Sequence, residues 1–219
     1  ILQDRYEDAA AILETLGSSP TFKSDPAYQY KLGYVKVRLE RYGEAEALFR
    51  SVLAKSRVPA GTYDNTVQAL LSMLYRAERY RELEIDFKNY SPRIQDKFVM
   101  ARTRYLMGMT MFDADNFSDA IRYFKEIKPP ADTELLIETA MRIGDCDYNL
   151  KRFKPALDRY AKIAELHPAT RWGKEALYAS GLCKIKLGFP ESALTGFERF
   201  LQQNPDDPLA RDVAMEAGR

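Results

Sequence analysis

One three-point pattern recurs along the chain at intervals of about 36 residues. Gly33, Gly108, Gly144 and Gly181 each stand twelve residues before an alanine, namely Ala45, Ala120, Ala156 and Ala193. Four residues after each alanine comes an aromatic: Phe49, Phe124, Tyr160 and Phe197. A period of this size marks a stack of supersecondary units, each burying its apolar face only against its neighbours.

The segment from Thr170 to Pro205 shows what one unit contains. Leu177, Gly181, Ala193, Phe197, Phe200 and Pro205 are spaced as two helices and a closing turn. Gly188 breaks the apolar period, and Pro190 suits the first turn of a second helix, where its missing N–H is an orphan anyway. Small residues at Gly181 and Ala193 predict a close antiparallel approach, with Phe197 and Phe200 filling the space towards the next pair.

This segment resembles a tetratricopeptide repeat. With that signature's glycine as repeat position 8 and its alanine as position 20, Gly181 is 8, Ala193 is 20, Phe197 is 24 and Pro205 is 32. Gly144, Phe153, Ala156, Tyr160 and Pro168 match the preceding repeat. Gly108, Phe117, Ala120 and Phe124 match the one before, which ends at Pro129 and Pro130. Leu32, Gly33, Tyr42, Ala45 and Phe49 match an earlier one. A worn copy lies between, with Tyr80 and Phe87 at positions 17 and 24 but Leu71 and Leu83 at 8 and 20. A wider helix separation is expected there. Steps between successive position-20 residues are 38, 37, 36 and 37, and the additional residues read as longer turns at 56–61, 91–96 and 128–132.

The resemblance implies an all-α fold, a right-handed superhelix of antiparallel helix pairs with about 11–12 helices. Residues 1–219 read as a single array. A half repeat at 1–19 is followed by repeats at 26–58, 62–91, 97–130, 133–168 and 170–205, then the start of a further or capping helix at 208–219. Tyr6, Ala9 and Leu13 match positions 17, 20 and 24, and Gly218 falls on position 8 of another helix. Half repeats at both ends lead us to expect a piece of a longer protein.

Composition removes several function classes. Formal net charge is +1, with 33 basic and 32 acidic residues, so no global field favours nucleic acid or an anionic membrane. No run of 18 apolar residues is present to span a bilayer. The single histidine, His167, sits in a turn before Pro168, and no Gly-x-Ser-x-Gly elbow accompanies it. Cys146 and Cys183 both fall on position 10, inside successive helices, and read as small core residues rather than a disulfide or a zinc site. Gly17-Ser18-Ser19-Pro20 reads as a helix stop, and the acidic turns at 113–115 and 206–207 lack the length of a calcium loop. Trp172 is expected just before its helix, stapling the turn. The chain is expected to have no catalytic, cofactor or metal site.

In tetratricopeptide arrays the concave face is lined by the first helix of each pair, at positions 2, 5, 9, 12 and 13. The resemblance therefore implies a partner-binding face made of Tyr30, Tyr34, Arg38, Tyr75, Arg76, Tyr105, Met109, Phe112, Met141, Tyr148 and Tyr178. Tyr, Met and Arg are common interface anchors, because they combine apolar area with a polar tip. Aromatics at helical spacing also serve as packing. A carboxylate clamp known in some relatives needs Lys at position 5 and Asn at position 9, and none of the five repeats has that pair.

The expected function is a non-catalytic scaffold that holds a protein or peptide partner in its concave groove. Residues 176–210 further resemble repeats of bacterial envelope proteins, including the periplasmic Tol–Pal coordinator and the lipoprotein of the outer-membrane β-barrel assembly machine. That resemblance implies a periplasmic or outer-membrane-associated place, with a cytoplasmic one as the alternative. The competing reading is a regulatory or targeting module of a larger enzyme or sensor protein.

Overall fold

The computed structural model describes residues 2–218. Among them are thirteen α-helices, one 3-10 turn at Ser91–Arg93 and no strand. The helices are α1 (Leu2–Leu16), α2 (Pro20–Ser24), α3 (Pro26–Arg38), α4 (Tyr42–Leu53), α5 (Ala60–Arg76), α6 (Tyr80–Tyr90), α7 (Lys97–Asp113), α8 (Phe117–Lys125), α9 (Thr133–Asn149), α10 (Phe153–Leu166), α11 (Arg171–Lys186), α12 (Pro190–Gln203) and α13 (Ala210–Ala217). The helix beyond the expected twelve is α2. Gly17-Ser18-Ser19 does stop α1, and Pro20 then opens one more short turn of helix. The chain forms two compact units, Ile1–Thr110 and Met111–Arg219, whose boundary falls inside α7.

Helix starts follow their capping residues. Asp25 accepts from the N–H groups of Ala27 and Tyr28 ahead of α3, with Pro26 at its first position. Asp132 caps α9 and the Thr170 hydroxyl accepts from Gly173 N–H at α11. Thr170 at the cap puts Trp172 inside the first turn of α11 rather than before it, packed on the core of that repeat.

All five turns inside the pairs are built alike. The residue at position 15 has positive φ each time: Glu40 (59°), Glu78 (55°), Asp115 (56°), Lys151 (62°) and Gly188 (84°). The following N–H then reaches back five residues, from Arg41, Arg79, Asn116, Arg152 and Phe189 to the carbonyls of Lys36, Leu74, Met111, Asp147 and Lys184. This is the six-to-one bond of a Schellman ending. Glycine adopts that conformation freely; the other four residues are held in it at a cost of about 1 kcal/mol each.

The position-8 glycine has a more definite task than close helix approach. A Cβ on Gly33 would lie 2.6 Å from the Phe49 ring, on Gly144 2.5 Å from Tyr160, and on Gly181 2.2 Å from Phe197. Each glycine is thus the floor on which the position-24 aromatic of its own repeat lies, and those three rings are buried. In the worn copy Leu71 and Leu83 occupy the floor themselves, both fully buried, and Phe87 is only half-buried. An ionic clasp spans α4 and α6 there. Arg50 meets Asp86 at 2.9 Å and Arg79 meets Glu46 at 2.6 Å.

Both cysteines are free and buried, in α9 and α11, and burial pushes their thiols up, to about 12 for Cys146 and about 11 for Cys183. At the chain ends, α1 packs through Tyr6, Ala9, Ala10 and Leu13 on Val35 of α3 and on Leu39, which caps that helix. Val213 of α13 closes over Phe197 and Phe200. No helix among the described residues is long and apolar enough to cross a membrane.

Candidate functional site

The stripe at positions 2, 5, 9, 12 and 13 repeats every three to four residues, so it forms one face of each first helix. In the first unit two such faces and a residue of α7 enclose a cavity of about 340 Å³. α3 contributes Tyr30, Tyr34, Val37 and Arg38, and α5 contributes Asn65, Gln68, Ala69, Ser72, Met73 and Arg76. Arg102 of α7 completes the lining. Four of the eleven expected partner-binding residues, Tyr30, Tyr34, Arg38 and Arg76, therefore share one site. Asn65 and Arg102 were not singled out in the sequence, although both stand on position 2 of the same numbering.

The wall is aromatic and the rim is basic. The Tyr30 ring lies 6.5 Å from Tyr34 and 6.4 Å from buried Phe49, so it is fixed by packing. Burial, and then the neighbouring Tyr34, push the Tyr30 phenol up, which keeps it a neutral hydroxyl. Tyr34 is 44% exposed. The guanidinium of Arg38 lies over the Tyr6 ring, 5.2 Å from its centre. Stacking of this kind occupies the flat face of the cation and leaves its N–H edge available. A second hollow of about 310 Å³ shares Tyr30 and Tyr34 and adds Leu13, Lys31 and Val35.

The other seven expected residues are placed differently. Met141 is 4% exposed, inside the core cluster with Ala156, Tyr160 and Ile163; it is packing, not surface. Position 5 faces inward there because the neighbouring repeat closes over it. Tyr75, Phe112 and Tyr148 stand at position 12 and stack on the position-17 aromatics across their turns. The pairs are Tyr75–Tyr80 at 5.9 Å, Phe112–Phe117 at 5.4 Å and Tyr148–Phe153 at 5.3 Å. Tyr178 packs on Phe197 at 5.9 Å. Tyr105 and Met109 are half-buried on α7 and do not line the cavity.

In the second unit position 9 of α9 is tied into the protein. Asp145, at position 9, accepts from the Tyr160 hydroxyl at 2.7 Å and pairs with Arg142 at 3.0 Å. Burial pushes its carboxyl up, against the pull of those two partners. His167 caps the end of α10 and borders a hollow of about 640 Å³ between α9 and α10, lined mainly by Leu136, Ile137, Ala140, Ile163 and Leu166. Asp207 is held by Lys174 at 2.7 Å and by the N–H of Leu209. No group of three or more His, Cys, Asp or Glu able to hold a metal ion occurs among the described residues.

Residues 175–207 match the family model of the tetratricopeptide repeat. Most of the chain superposes on solved proteins of that kind. One is YrrB, described as a TPR protein with an unusual peptide-binding site. It is 17% identical with a TM-score of 0.68, over 94% of this chain and 99% of that one. Another is the C-terminal part of a TPR repeat-containing protein from Cytophaga hutchinsonii, 16% identical with a TM-score of 0.78, over 97% and 80%. A third is MamA AMB-1, 16% identical with a TM-score of 0.61, over 82% and 99%. The fold is that of a tetratricopeptide repeat array. No curated protein is significantly similar to the chain in sequence. At these identities the tetratricopeptide neighbours establish the architecture, and the contents of the groove must be read from its own residues.

Proposed function

We propose that the protein is a non-catalytic interaction scaffold that holds a segment of a partner protein in the helix-lined groove of its first unit. The supporting observation is the convergence of Tyr30, Tyr34, Arg38 and Arg76 on one open cavity. These residues lie on two repeats, yet the repeat numbering alone predicts that they share a face. Rigid aromatic walls with polar tips and cations at the rim are the usual composition of a segment-binding surface. YrrB, which shares the fold, is described as having a peptide-binding site, and a peptide in this groove is the corresponding reading here.

We place this scaffold in a bacterial cell-envelope assembly, periplasmic or associated with the outer membrane. The support for that placement is the resemblance of residues 176–210 to repeats of envelope proteins.

Site-directed photocrosslinking in cells tests the reading. A benzoylphenylalanine at position 34 should give one dominant adduct, and the same probe at exposed position 198 of α12 should not. Adducts of equal yield from both positions, or from position 198 alone, would sink the groove as the docking site. Fractionation of the cells tests the compartment separately.

A further inference from the structure

The groove carries a charge that composition does not explain. The chain as a whole is balanced, with 33 basic and 32 acidic residues. Yet the two hollows that share Tyr30 and Tyr34 are bordered by Arg38, Arg76, Arg102 and Lys31 and by no acidic residue. Several other basic side chains of the first unit are matched. Lys36 lies between Glu14 and Glu44, Arg41 meets Glu7, Arg50 meets Glu46 and Asp86, and Arg79 meets Glu46 and Glu82. Arg38 and Arg76 form no ion pair among the described residues.

We propose that the groove of the first unit selects an extended acidic segment. Its carboxylates would lie against Arg38 and Arg76, and an apolar side chain would enter the hollow between Leu13, Tyr34 and Val35. This rests on the groove reading above and specifies the chemistry of the occupant. Arginine suits this purpose because its planar fork of N–H donors matches a carboxylate in two-point fashion. Arg38 is already oriented by its stack on Tyr6, so less side-chain freedom is lost when an anion arrives. Asn65, Gln68 and Ser72 line the same cavity along α5 and can hydrogen-bond the backbone of a chain laid in it. The hollow beside Tyr34 is walled by Leu13 and Val35 and fits one aliphatic or aromatic side chain.

The test is a random decapeptide display library panned on the full chain and, in parallel, on the double variant Arg38→Glu/Arg76→Glu. Both positions are exposed and form no ion pair among the described residues, so the variant should keep the helical circular dichroism of the parent. On the parent, enriched peptides should carry Asp or Glu beside an aliphatic or aromatic residue; on the variant, Lys or Arg should replace the acids. A winning acidic peptide should lose about tenfold in affinity on Arg76→Ala, equivalent to about 1.4 kcal/mol, and should weaken as salt rises. Enriched peptides without acidic bias that still lose binding on Tyr34→Ala would overturn the acidic preference and leave the groove as a peptide site. Enriched peptides indifferent to Tyr34→Ala and to the charge reversal, or no enrichment at all, would overturn the inference and count against the groove too.

Discussion

The two units use one repeat numbering for opposite purposes. At position 9 the first unit has Tyr34 and Ser72, which line an open cavity. The second has Asp145, bound by Tyr160 and Arg142. At position 5 the first unit exposes part of Tyr30 to the groove, whereas Met141 is in the core and Tyr178 is pressed on Phe197. A repeat thus sets where a residue points, and its neighbours decide whether that face stays open. A second contrast, between the worn repeat and the others, holds for the packing floor. Gly33, Gly144 and Gly181 let a ring lie flat, while Leu71 and Leu83 fill the floor and leave Phe87 half-exposed.

The sharpest way to break this contrast is to exchange the two floors. Leu71→Ala empties a fully buried site in the worn repeat, and should cost about 3–4 kcal/mol, the transfer term plus the unfilled cavity. Gly181→Ala acts in the opposite sense, placing a Cβ 2.2 Å from the buried ring of Phe197. Overpacking of this kind should cost about 2 kcal/mol even after the better helix propensity of alanine is counted. Urea midpoints measure both. Gly181→Ala combined with Phe197→Leu should recover part of the loss, and equal midpoints for Gly181→Ala and the parent would mean that the ring does not depend on a glycine floor.

Next in size is the polar knot of the second unit. Tyr160→Phe removes the hydroxyl that donates to Asp145 and should cost about 2 kcal/mol at neutral pH, since the lost bond is to a charged, largely buried group. The sign with pH follows from the direction of the shift. The Asp145 carboxyl is raised in the folded state, so its ionisation opposes folding. The stability it contributes is fully present below the ordinary aspartate value and is lost as pH rises through the raised folded value. The Tyr160 hydroxyl favours the ionised form, and removing it raises the carboxyl further. The variant should therefore sit closest to the parent near pH 4 and fall furthest behind near pH 8, within the window set by carboxylate titration. Melting curves across that range check it; a penalty independent of pH would mean that Asp145 is not the group concerned.

Much of this was legible in the sequence, and the parts that were not have physical reasons. The glycine, alanine and aromatic spacing placed the helix pairs, found the worn copy and put both cysteines in the core. It also pointed to the face on which Tyr30, Tyr34, Arg38 and Arg76 meet. It did not reveal that all five inner turns share a left-handed residue, because only Gly188 shows it as glycine; Glu40, Glu78, Asp115 and Lys151 are forced by the bond that follows. Nor did it separate groove from packing at position 12. Tyr75, Phe112 and Tyr148 are claimed by aromatics five residues later, a pairing visible only once the turn has folded. α2 was missed because a stop signal and a proline start can follow each other within four residues.

The inner turns supply a smaller test. Gly188→Ala should cost about 1 kcal/mol, because φ is +84° and an added Cβ meets a strained backbone rather than a neighbour. Lys151→Gly places glycine in the equivalent turn and should change stability by less, since relief of strain is offset by greater freedom of the unfolded chain. Thermal melts of the two variants side by side would show whether the turns are interchangeable.

The smallest effect on stability is the one that separates the groove from the core. Tyr34→Ala removes a side chain that is 44% exposed and stacks only loosely on Tyr30 at 6.5 Å. It should shift stability by no more than about 0.5 kcal/mol. Tyr178→Ala, in the second unit, removes a ring packed on buried Phe197 and should cost about 1–2 kcal/mol. Binding should follow the reverse order, with peptide capture lost at Tyr34 and retained at Tyr178. If Tyr34→Ala melted as early as Tyr178→Ala, the ring would belong to the core, and an open aromatic wall could not be the reason that the two units differ.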